Sequence, residues 1–130
     1  MAVEKILQTW TVPASTDLSS YQYHFVKLDS NSKAALAGAD DAIFGILQDK
    51  PDAADEEALV AIAGVSKLVV DASSVNIAVG DRLAANSSGH GVKTTTEGDD
   101  YGAIALESAT ADGVIIKVLV TPFGVVEANL

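Results

Sequence analysis

Cysteine is absent, so disulfides, thiolate metal sites and thiol catalysis are all excluded. Basic residues are scarce: 8 Lys and Arg stand against 18 Asp and Glu, for a formal net charge of −10. Such a chain repels phosphate backbones at neutral pH, and no nucleic-acid partner is expected. A membrane span needs about 18 consecutive apolar residues, and none is present, so no membrane partner is expected either. The first ten residues, MAVEKILQTW, lack a basic region followed by an apolar run, so no signal peptide is expected. Aromatic residues make up only 5%.

Short apolar runs between turn residues are plentiful, which is the signature of an all-β chain. Hydrophobic residues reach 48% of 130 positions, enough for one domain with a real core. The runs predict strands over Lys5–Trp10, Tyr23–Leu28, Lys33–Leu36, Ala42–Gln48, Ala58–Ala63, Ser66–Asp71, Arg82–Ala85, Gly91–Thr95, Gly102–Glu107 and Gly113–Val120. Clusters of Gly, Asn, Asp and Ser separate them, including Asp29–Ser32, Gly38–Asp41, Asn86–Gly89 and Gly98–Asp100. Turns every 8–12 residues or so predict a small compact β-barrel or β-sandwich with little helix. Short helical pieces are expected at most over Asp52–Leu59, where acidic residues follow Pro51, and as a turn or 3₁₀ piece over Ser73–Ala78.

The chain also resembles itself. Lys27–Ser32 matches Arg82–Ser87 at an offset of 55 (82 − 27), and Gly38–Asp41 matches Glu97–Asp100 at 59 (100 − 41). Ser66–Val70 matches Ile116–Val120 at 50 (117 − 67). Outside the repeat stand an extended N-terminal arm, residues 1–16, and a C-terminal tail, residues 121–130, with a β domain over 17–120 between them. Pro122 is expected to interrupt any ladder in the tail. Tyr21, Tyr23 and Phe25 alternate, which places them on one strand face. The arm carries Ile6, Leu7 and the lone tryptophan, Trp10. Large apolar side chains outside a core anchor one chain to another, so these three are the expected contacts with a partner chain or a neighbouring subunit. An arm of this kind is removable: deletion of residues 1–12 is expected to spare the fold.

Chemistry-bearing constellations are weak. His24 sits in a predicted strand and His90 in a Gly-flanked loop, and nothing in the sequence makes them converge. The pairs Asp40/Asp41, Glu56/Glu57 and Asp99/Asp100 read as solvated turns, a weak cation site being the alternative. No G-x-S-x-G elbow, Walker A loop or G-x-G-x-x-G fingerprint is present. No catalytic residue, metal ligand or cofactor site is therefore expected.

Six segments follow one another in order: Phe25–Asp29, Ala42–Gln48, Val60–Lys67, Val79–Leu83, Gly102–Glu107 and Val114–Val118. This succession resembles the capsid decoration, or cement, proteins of tailed bacteriophages. The resemblance implies a β-tulip-like fold akin to lambda-type decoration proteins, with no enzymatic residues. It implies a homotrimer on the outer surface of the virion head, made in the host cytoplasm, whose partner is the major capsid protein at threefold and quasi-threefold positions. Members of that family often carry a Gly shortly before the Phe25-Val26 segment, where this chain has Ser19–His24. A tail fibre or spike component, and a small hydrolase or sugar-binding β-barrel using Asp40 and Asp99, are the rival expectations.

Overall fold

The alternation of buried and exposed residues between polar turns folds the described residues into strands and turns, with no helix among them. A computed structural model describes residues 4–127. Its strands are β1 (Lys5–Pro13), β2 (Phe25–Leu28), β3 (Ala34–Leu36), β4 (Gly45–Leu47), β5 (Glu57–Asp71), β6 (Arg82–Ala85), β7 (Gly91–Lys93), β8 (Asp100–Ala105) and β9 (Asp112–Val125).

All nine belong to one sheet that closes on itself twice. One ring runs β5-β4-β2-β3-β1 and returns to β5, closed between β3 and β1 by a parallel bridge, Ala34 to Ala14. The other runs β5-β9-β8-β6-β7 and returns to β5, closed by a parallel bridge, Gly91 to Val70. β5 is long enough, at 15 residues, to serve both rings. Closure removes most sheet edges, the usual hazard of a small β protein.

The two rings are copies of one plan. β1 pairs with β5 as β5 pairs with β9: Pro13 faces Glu57 and Thr9 faces Ala61, while Val69 faces Ile115 and Val65 faces Leu119. The first strand of each ring is thus related by 56 positions (69 − 13) and the second by 58 (115 − 57). The hairpin turns match as well. Asp29 Oδ1 accepts the N–H groups of Asn31 and Lys33, and Asn86 Oδ1 accepts those of Ser88 and His90. This equates Asp29 with Asn86 at an offset of 57 (86 − 29), whereas matching the shared Asn-Ser letters suggests 55. The acidic turns align at 58 (99 − 41) rather than 59, because Asp40 and Gly98 take the same left-handed conformation, with φ of 67° and 87°. The third match fails: Lys67 and Lys117 are not equivalent but lie directly opposite each other on β5 and β9.

Other expectations need correction. Ala58–Ala63 and Ser66–Asp71 are one strand, since Gly64 makes a bulge (φ 101°) instead of a turn. Asp52–Glu56 forms no helix, because Asp55 is left-handed (φ 71°) and donates its N–H to Ala14 O, while Glu56 O accepts from Ala14 N. Tyr21 and Tyr23 precede β2 in turns, so the three aromatics share no strand face. Tyr23 takes φ 66°, a left-handed conformation within the turn that enters β2. Pro122 does sit in an interruption: the β8–β9 ladder jumps from Ala103–Val120 to Tyr101–Gly124, although β9 itself continues to Val125.

The interior is filled largely by small and β-branched side chains, as narrow five-stranded rings require. Val12, Ala14, Val26, Ala34, Leu47, Ala58 and Val60, with Leu18 and Phe44, fill the first ring. Leu68, Val70, Leu83, Ala103, Ala105, Ile116 and Val118 belong to the second core, which also takes Phe25, Ile46 and Ala61 from the opposite face of β2-β4-β5. The shared wall is therefore buried on both faces, and the two rings form one rigid body of packed side chains.

Candidate docking surface

β1 lies along β5 by one edge only; its other edge, from Lys5 to Val12, has no ladder partner among the described residues. In the second ring the equivalent edge, Ala61–Val65 of β5, is covered by β1 itself. Within β1 the register shifts between Ile6, which faces Gly64, and Gln8, which faces Ala63. Leu7 is the extra residue of this bulge and is pushed outward, 71% exposed. Trp10 stands opposite Val60 and remains 56% exposed. Ile6 behaves differently: it is half-buried and packs against the larger core. Residues 1–3 of the predicted arm lie outside the described residues, and Lys5–Pro13 is a strand of the first ring, with Val12 buried in its core.

A second apolar strip runs along β9. Ile115 and Leu119 are exposed on the outer face, opposite Val69 and Val65, with Lys67 and Lys117 paired between them. Phe123, at the β9 bulge, is 53% exposed and its ring lies 6.2 Å from that of Phe44. Gly124 leaves room for the Tyr101 ring, which an added Cβ would meet at 2.7 Å. Arg82 in turn lies over that ring at 5.5 Å.

The polar groups mostly build turns. Asp41 Oδ2 accepts the Gly38 N–H (2.8 Å) and pairs with Lys27 Nζ at 3.1 Å, which together hold its carboxyl below the usual range, the backbone bond counting most. Asp17 and Asp71 are lowered the same way, each by the hydroxyl and N–H of a serine two residues on. These are the matching Asp17-Leu18-Ser19-Ser20 and Asp71-Ala72-Ser73-Ser74 segments, a repeat signal in plain letters that the strand comparison passes over. Thr94 donates its hydroxyl to Asp99 Oδ2 at 2.6 Å. Asp40, Asp99 and Asp100 line an open cleft with Val75, Val92 and Lys93, and no histidine reaches it.

The histidines do converge. The rings of His24 and His90 stand 4.8 Å apart, edge to face, and His90 Nδ1 lies 2.9 Å from Asp112 Oδ1. Burial pushes the His24 imidazole below its ordinary pKa, against the opposing effect of its bond to Gln22 O (3.1 Å). Among the described residues no group of three or more His, Asp or Glu side chains is placed to hold a metal ion.

The profile of a family described as phage cement protein matches residues 3–121. No curated protein matches the chain. Among solved structures, the head fibre gp8.5 N base of bacteriophage phi29 is similar, with a TM-score of 0.63 over 88% of this chain and 93% of that one. The two sequences are 16% identical, so the likeness is one of fold.

Proposed function

The chain belongs to the phage cement protein family, and from that premise we propose that it decorates the outer surface of the phage head and stabilises the lattice of the major capsid protein. Membership of that family makes it a structural, capsid-associated protein of the virion. Its proposed working form is a homotrimer at threefold and quasi-threefold positions, assembled on the head after synthesis in the host cytoplasm.

The observation that carries the reading is β1. It presents two large apolar side chains, Leu7 and Trp10, beside an unpaired strand edge, on a body whose other edges are mostly closed. An open edge accepts an extended segment of another chain through backbone hydrogen bonds, and exposed apolar anchors fix where it sits. Lys5 and the Leu7 bulge keep the same edge from pairing indiscriminately. A rigid double ring resists deformation, so load from one capsid subunit passes to the next without stretching the plug. Three copies acting together hold tightly even when each contact is modest.

Gold-labelled antibody on intact virions tests the placement. A regular array of label over the head is expected. Label confined to the tail would favour a fibre or spike and overturn the head assignment.

A further inference from the structure

The tip of the β6–β7 hairpin closes one part of the seam between the two rings. Its Gly89 carbonyl accepts the Phe25 N–H at 2.9 Å, and Gly89 sits so tightly against the Leu36 side chain that a Cβ there would collide with it. Beside that bond lie His24, nine-tenths buried on the first ring's turn, and His90 on the hairpin tip. We propose that the His24–His90 contact is an acid-released latch: protonation of His24 undocks the Asn86–His90 tip from the Tyr21–Phe25 turn and loosens the joint between the rings.

The charges around the pair are arranged on one side. Asp112, at the start of β9, accepts from His90, and Asp71, at the end of β5, feels the His90 charge. His24 faces the edge of the Tyr21 ring at 5.4 Å, the Gln22 carbonyl and His90 itself. Beyond the same turn, Tyr23 meets Lys67, which pairs with Glu4. His90 has the Asp112 carboxylate beside it, whereas His24, among the described residues, has no carboxylate against it. Burial already favours neutral His24 in the folded state. The docked seam is therefore fully stable above the unfolded value of 6.5 and weakens as pH falls below it, because the opened state binds more protons.

Hydrogen exchange read by NMR on the full chain tests this at pH 7.5 and pH 5.0, corrected for intrinsic exchange chemistry. Protection at the Phe25 amide, whose bond to Gly89 O crosses the seam, is expected to fall about tenfold or more on acidification, while the β5–β9 ladder keeps its protection. His24→Gln is expected to flatten the pH dependence; His90→Gln serves the same purpose if the first variant folds poorly. Equal protection at both pH values in the wild type overturns the latch, and so does a variant that loses protection as steeply as the wild type.

Discussion

Gly64→Ala is the substitution on which the architecture bears hardest. Gly64 holds φ at 101°, a conformation L residues adopt at a cost of about 1–3 kcal/mol. An added Cβ would also collide with Lys5 O and approach Leu7 N at 2.6 Å. Both neighbours are backbone, so relief requires β1 to shift away from β5 and lose bonds around the bulge. Overpacking of this sort adds about 1–3 kcal/mol, for a total of roughly 2–6 kcal/mol. A chain of 130 residues has roughly 7–20 kcal/mol of stability, so the variant remains folded with a much lower urea midpoint. Gly80→Ala is the control. Its φ is 93°, yet nothing lies within 4 Å of the added methyl, so it suffers only the backbone cost, about 1–2 kcal/mol. Urea unfolding followed by tryptophan fluorescence and far-UV circular dichroism reads both. If Gly64→Ala costs no more than Gly80→Ala, the close approach of β1 to β5 is not what holds the first ring together.

The duplicated turns make opposite predictions at equivalent positions. Ser32→Gly relieves a φ of 60° and is expected to stabilise by a few tenths to about 1 kcal/mol, whereas Gly89→Ser forces a side chain into Leu36 and is expected to cost about 2–4 kcal/mol; thermal melts of the two variants give the signs. Asp41→Asn is expected to cost up to about 1 kcal/mol at pH 7, discounted for its partial exposure. The folded carboxyl is depressed, so its contribution exists above the unfolded value of 3.8 and disappears as pH falls through the folded one. Urea midpoints of wild type and variant should therefore converge near pH 2.

Much of this was legible in the letters, for reasons that can be traced. The β2–β3 and β6–β7 hairpins announce themselves because Asp29 and Asn86 are followed by small polar residues that can fold back on a side-chain acceptor. The repeat was visible, but its register was set by identical letters rather than by turn geometry, where Ser32 and Gly89 do the same work with different side chains. The likeness of Ser66–Val70 to Ile116–Val120 has another cause: the two segments are antiparallel neighbours sharing one environment. Gly64 read as a break because a bulge and a turn ask for the same residue. The His24–His90 contact had no local signal, since only the docking of one ring on the other creates it. Leu7 and Trp10 were legible as apolar residues outside the expected core, but their strand was not a detachable arm. Removing residues 1–12 would strip one edge of β5 of its partner strand and Val12 from the core, so point substitutions are the sound way to probe this face.

Co-sedimentation with mature, expanded phage heads compares wild type with a Leu7→Ser/Trp10→Ser variant of matched urea midpoint. Saturable binding by the wild type is expected, and a loss of at least about 30-fold in the variant, the effect of removing one interface anchor worth about 2 kcal/mol. Equal binding by the two proteins, or no binding of the wild type to heads, would contradict the assignment of this protein as a head cement acting through β1.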